Sequence, residues 1–375
     1  MRFAVILAFL ACAAVAQVPT PEQLFRDAVE AQRRGDDATA IRKYQELIKL
    51  RPDIVEAHAN LGAALAHLNR FDEAIAQYRA ALLRVPNNTG LRMNLALAYY
   101  KKNDFANAAL ELKPLHESNP ADVRIGTLLG ECYAQQGNNS GAIAVLAPLE
   151  ASHPDDLDVA WALGQALIQA GRLPDGLAGV EKVAAGRNSA EAWLLAGNTA
   201  FRLNFYERAQ KDADAAMRID PHLPGLFTLQ GKVLQVLGDN QAAIGALKKA
   251  LEADPNDFDA HLTLGAVLNV ERDTEGARQH VARALQLHPD SPLAVFEMAR
   301  IERSLGQFDA AVRDMEKVER GDPSWLQLHV ELAALYYRVQ RPDDGAKERA
   351  IVERLTAEQQ QQGAQQPPGA PVPSH

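Results

Sequence analysis

Ten histidines, two cysteines and several paired aspartates are the side chains of this 375-residue sequence that could carry proton, metal or nucleophile chemistry. Their spacing argues against it. No H-E-x-x-H, C-x-x-C, glycine-rich phosphate loop or G-x-S-x-G is present. His58, His261 and His329 share one register position and read as packing residues, and His280 and His288, eight apart, lack further ligands. Asp155-Asp156 and Asp343-Asp344 fall in turns, where aspartate satisfies free N–H groups at helix starts. A catalytic dyad needs surroundings that perturb its pKa, and exposed turns do not supply them. Cys132 is the single thiol beyond Cys12, so it closes no bridge of its own and reads as a small buried apolar residue. The expectation is no catalysis, no metal and no cofactor.

The elements that would position these residues follow from a ladder of prolines. Pro52, Pro86, Pro120 and Pro154 are 34 residues apart, as are Pro221, Pro255, Pro289 and Pro323, and Asn188 stands where one more proline would fall. With the proline as position 32, ten repeats begin at Pro21, Val55, Thr89, Val123, Leu157, Ala190, Pro224, Phe258, Pro292 and Leu326. Positions 8 and 20 are then always Gly or Ala, which lets two helices approach closely. Pairs four apart, such as Leu61 and Leu65 or Leu95 and Tyr99, share one helical face. Position 15 is Gly or Asn in eight of ten repeats, the residues that tolerate a left-handed helix end, and the pattern breaks at Arg272 and Gln340. Each unit therefore reads as helix, tight turn, helix, then a proline that blocks continuation. One helix pair cannot bury its apolar face alone, so stacking completes the core. The fifth repeat, with Gly176 and Gly179 in its second helix and no proline, is expected to be the weakest joint.

This pattern closely resembles the tetratricopeptide repeat: small residues at positions 8 and 20, proline at 32, and large residues at 4, 7, 11 and 24, as in Trp193, Leu61, Tyr99 and Tyr44. The resemblance implies an all-α, right-handed superhelical solenoid of about ten helix-turn-helix repeats, 21–54, 55–88, 89–122, 123–156, 157–189, 190–223, 224–257, 258–291, 292–325 and 326–357. It also implies a concave face lined by positions 2, 5, 6, 9, 12 and 13 of each first helix. On this sequence those positions offer Asn60, Asn94, Tyr100, Lys101, Glu131, Trp161, Asn198, Phe201, Arg202 and Lys232. Asparagine can bond an extended backbone in both directions, and aromatic rings beside cations suit a peptide or partner helix. The family's carboxylate-clamping arrangement is not reproduced, since Arg26 and Arg92 stand elsewhere.

The ends read differently. Arg2, the short apolar run from Phe3 to Ala11 and Ala14-Val15-Ala16 before Gln17 form a signal-peptide pattern, with cleavage between Ala16 and Gln17. Phe9-Leu10-Ala11-Cys12 is a poor lipobox, with Phe where leucine belongs, so no lipid anchor at Cys12 is expected. No later segment is apolar enough to span a bilayer. Residues 358–375, rich in Gln, Pro and Gly, read as a disordered tail. The net charge of −9 carries no basic block, which disfavours nucleic acid. The expected function is a non-catalytic scaffold, periplasmic or secreted and bacterial in look, that binds a protein or peptide in its concave groove. A structural part of a cell-envelope secretion or polysaccharide-export machine is the alternative.

Overall fold

A computed structural model describes residues 19–365 of the chain, with side chains to residue 361. The signal-peptide reading, its cleavage site and Cys12 lie outside the described residues, as do residues 366–375. All regular structure among the described residues is helical. The chain divides into two compact units, one ending at Leu149 and one beginning at Glu150. The first holds the pairs α1 (Pro21–Arg33) and α2 (Asp37–Leu50), α3 (Val55–His67) and α4 (Phe71–Leu82), α5 (Thr89–Lys101) and α6 (Phe105–Ser118), and α7 (Val123–Gln135) with most of α8 (Asn139–Ser152). The second holds α9 (Leu157–Gln169) and α10 (Leu173–Arg187), α11 (Ala190–Arg202) and α12 (Tyr206–Ile219), α13 (Leu226–Val236) and α14 (Asn240–Ala253). It continues with α15 (Phe258–Val270) and α16 (Thr274–Leu287), α17 (Pro292–Ser304) and α18 (Phe308–Gly321), and α19 (Leu326–Arg338) and α20 (Pro342–Gln365).

The turn inside each repeat is the most regular feature. Position 15 has φ between 58° and 86° in all ten repeats, including Arg272 at 65° and Gln340 at 58°. The next residue's N–H then donates back to the carbonyl at position 11, as in Asp36 to Ala31, Asp104 to Tyr99 and Asp273 to Leu268, each at 2.9 Å. This is the Schellman bond, which satisfies a carbonyl left over at a helix end. The same bond forms where the residue type breaks the pattern: Asp273 follows Arg272, and Arg341 after Gln340 reaches Tyr336 O at 2.8 Å. Second helices then start on side-chain caps, among them Asp36, Asp104, Asp239 and Asp273.

Within a pair, position 8 receives the side chain at position 24. A Cβ on Gly231 would stand 2.4 Å from Leu247 Cγ, so glycine is what lets α13 and α14 close. Position 20 is fully buried alanine from Ala40 to Ala311 except in the fifth repeat. There Gly176 takes its place, and an added Cβ would meet the Gly164 carbonyl at 2.9 Å and the Ile168 nitrogen at 3.0 Å. The glycine that costs helix propensity thus permits a closer α9–α10 approach. Asn188, left-handed at φ 51°, ends α10 where other repeats use proline.

A second recurring device links neighbouring repeats. His58, Arg92, His261 and His329 at position 4 each bond the carbonyl of the preceding position-32 proline, at 3.2, 2.9, 3.1 and 3.0 Å. Each also reaches position 23 of its own second helix: Gln77 at 2.7 Å, Glu111 at 2.7 Å, His280 at 3.0 Å and Glu348 at 2.6 Å. The histidines expected as packing residues are hydrogen-bonded ties between repeats. His280 is the partner of His261, and His288 stands edge-on to Phe258 at 4.6 Å.

Two boundaries differ from the sequence reading. The seventh repeat's first helix begins at Leu226, not Pro224, because Gly225 at φ 81° lies outside helical conformation. The last helix runs to Gln365, so residues 358–365 are helical and not tail. Glutamate and glutamine are good helix formers, which suits a helix over this stretch.

The strained turns give a direct test. Arg272→Gly and Gln340→Gly should each raise stability by about 1 kcal/mol, because a left-handed non-glycine residue costs about 1–2 kcal/mol. Urea denaturation would measure it, and a loss at both positions would contradict the turn geometry.

Candidate functional site

First helices one repeat apart pack directly on each other: α3 on α5 in the first unit, and α11 on α13, α13 on α15 and α15 on α17 in the second. Their shared face joins position 12 of one repeat to position 6 or 9 of the next.

In the first unit, the Tyr100 hydroxyl donates to Glu131 Oε2 at 2.8 Å, and the ring meets the Phe105 edge at 5.6 Å. Burial and then Glu131 push the Tyr100 hydroxyl pKa up to about 12, so it stays a donor. Asn94 and Lys101 are exposed and line one hollow of about 490 Å³ together with His67 and Tyr78. Asn60 is half-buried, unlike the exposed Asn94. The two asparagines that share a repeat position therefore differ in availability.

In the second unit, Lys232 lies over the Phe201 ring at 5.4 Å and pairs with Asp259 at 3.1 Å. Tyr206 meets the same ring edge-on at 5.5 Å. Phe201, Lys232 and Asp259 thus form a line across α11, α13 and α15. Asn198 turns back on its own helix, with Nδ2 donating to Leu194 O at 2.9 Å. Trp161 is half-buried against the apolar core of α9–α11, and Arg202 is exposed.

The sequence reading missed a charged group on the same face. Arg300 bonds Glu297 at 2.9 Å, and Glu331 receives Arg303 Nη1, with Arg300 Nε at 4.0 Å. Glu297 and Glu331 hold position 6, and Arg300 and Arg303 hold 9 and 12, so the register rule already in hand marks all four. Burial raises the Glu297 pKa and the Arg300 charge opposes it.

Away from this face, three further titratable groups are buried or half-buried. Burial pushes the Cys132 thiol up to about 12, which leaves it a poor nucleophile. Burial, and then the His261 ring, lowers His280. Because the Pro255 carbonyl can only accept, His261 Nε2 carries its proton, and its Nδ1 accepts from His280. Asp212 occupies position 23 of the sixth repeat, where position 4 is Trp193 in place of a tie residue. It is 4 % exposed, its Oδ2 has no hydrogen-bond partner among the described residues, and burial followed by Glu181 raises it to about 7.

Known proteins resemble this chain in its repeats and fold. Family models described as tetratricopeptide repeat match residues 25–89 and 228–292, and also 69–132 and 99–163, together more than half of the chain. Protein bimA of Emericella nidulans is 28% identical over 115 residues, 31% of this chain and 14% of that protein. Protein CTR9 homolog of Arabidopsis thaliana is 31% identical over 122 residues, 32% of this chain and 11% of that protein. The chain therefore spans a small part of the curated relatives it matches. The crystal structure of the APC/C hetero-tetramer Cut9-Hcn1 shares the fold, with a TM-score of 0.55 at 14% identity over 90% of this chain and 88% of that one.

Asp212 makes the pH dependence of stability testable. Its folded pKa of about 7 lies above the ordinary aspartate value of 3.8, so the folded state holds this proton more tightly. Its contribution is full below pH ~4 and lost as pH rises through ~7. Asp212→Asn should flatten that fall and stabilise the chain at pH 8. Urea midpoints from pH 4 to 8 measure it, and an unchanged slope would contradict the burial of an ionisable carboxyl.

Proposed function

Because this chain belongs to the tetratricopeptide-repeat family, we propose that it is a non-catalytic scaffold holding a protein or peptide partner on its first-helix faces, outside the cytoplasm. One observation carries the reading. Successive first helices are joined by polar, aromatic and charged side chains, Tyr100–Glu131 in one unit and Phe201–Lys232–Asp259 in the other. Such links hold neighbouring exposed groups at fixed spacing, so a partner meets a preorganised surface and loses less conformational entropy on binding. Asn94 and Lys101 beside their hollow supply an amide and a cation. An extended acidic segment fits that chemistry. The solved relative named as a hetero-tetramer is a multichain assembly, which supports protein binding here by analogy of fold.

The location rests on the apolar run from Phe3 to Ala11 and the Ala14-Val15-Ala16 cleavage pattern before Gln17. No helix among the described residues is long and apolar enough to cross a membrane.

The full chain serves as bait against the native envelope fraction, beside a variant carrying Asn94→Ala and Lys101→Ala. Both side chains are exposed, so the variant should keep its helicity. The expected result is a partner recovered by the native chain and depleted at least about tenfold by the variant, a loss near 1.4 kcal/mol. Equal recovery by both would place binding elsewhere, and recovery from the cytosolic fraction alone would refute the location.

A further inference from the structure

Of the position-4 ties, the one in the tenth repeat has a different chemistry. The His58 tie ends on the neutral Gln77, the His261 tie on the neutral ring of His280, and the Arg92 tie matches a permanent cation to Glu111. His329 instead faces the carboxylate of Glu348, with Nδ1 2.6 Å from Oε2, and the two residues are only 1% and 6% exposed. A second carboxylate, Glu319 from α18, reaches the same point, so that one ligand atom from each of the three residues lies within 4.8 Å of the others. The structural role of a tie needs only His329 and one partner. It gives no reason for Glu319 to be there.

We propose that Glu319, His329 and Glu348 bind one divalent first-row transition-metal ion, clamping α18, α19 and α20 together. One imidazole nitrogen and two carboxylate oxygens suit Zn²⁺ or Mn²⁺, whereas Ca²⁺ and Mg²⁺ favour oxygen alone. The His329 ring is already oriented for it. Nε2–H donates to the Pro323 carbonyl at 3.0 Å, which turns Nδ1 toward the two carboxylates. A hydrogen bond from the other ring nitrogen to a backbone carbonyl is the usual support of a metal-bound histidine. The ion displaces the proton shared by Nδ1 and Glu348 Oε2, and its charge offsets the two acids. Glu319 is the half-buried member and leaves a side for water as a further ligand. The ligands are spread over residues 319 to 348 on three helices, so no short motif marks them.

The test is isothermal titration of the full chain with ZnCl₂ and with MnCl₂, paired with thermal unfolding, for the native chain, Glu319→Gln and His329→Gln. Glu319→Gln leaves the Pro323–His329–Glu348 tie intact. His329→Gln keeps donors for both tie partners but loses the imidazole. The proposal expects one ion per native chain, a higher unfolding temperature with metal, tighter binding as pH rises, and at least tenfold weaker binding in both variants. It is overturned if neither ion binds the native chain, or if either variant binds as the native chain does, since that binding would then belong to surface groups.

Discussion

One backbone conformation recurs at the same place in every helix pair, and the architecture depends on it. A residue with positive φ at position 15 ends the first helix, and the following N–H bonds back to position 11. That geometry fixes the angle at which the second helix returns. With the angle fixed, position 8 meets position 24 in five repeats, Gly62–Tyr78, Gly130–Leu146, Gly164–Val180, Gly231–Leu247 and Gly265–Val281, and such a pair closes only if position 8 is small. Glycine or alanine there follows from the turn. Arg272 and Gln340 show the strength of the constraint, since both adopt the left-handed conformation against their own preference.

Stacking repeats the same logic one level up. Identical pairs placed side by side bring identical positions together, so one favourable cross-repeat link can recur. The position-4 tie to the preceding proline carbonyl is one such link. It satisfies a carbonyl at a helix end that has no partner within its own helix. The first-helix face is another. Tyr100–Glu131 and Phe201–Lys232 join the same pair of repeat positions, 12 and 9, with different chemistry. The scaffold is uniform while the surface it presents is not, which is how one fold can serve many partners.

Much of this was legible in the sequence, because a 34-residue period is written in covalent spacing. The prolines, the small residues and the Gly/Asn turns located nine of the ten first-helix starts closely enough to name their faces. The exception, α13, was hidden because Pro224 looks like a helix start, and only the backbone shows that Gly225 delays it. The site was less legible. Register placed Asn60 and Asn94 alike, yet one is half-buried and the other is exposed. Asn198 is spent on its own helix, a choice of rotamer that no sequence pattern records. The ties escaped notice because their partners are 19 residues apart on opposing helices.

Hydrogen exchange of the full chain, with and without the partner it captures, tests the central claim most directly. The account predicts slowed exchange in α5, α7, α11 and α13, the first helices whose side chains form the shared faces, with the second helices α6 and α12 unchanged. Protection confined to second helices, or to residues beyond Gln365, would contradict it.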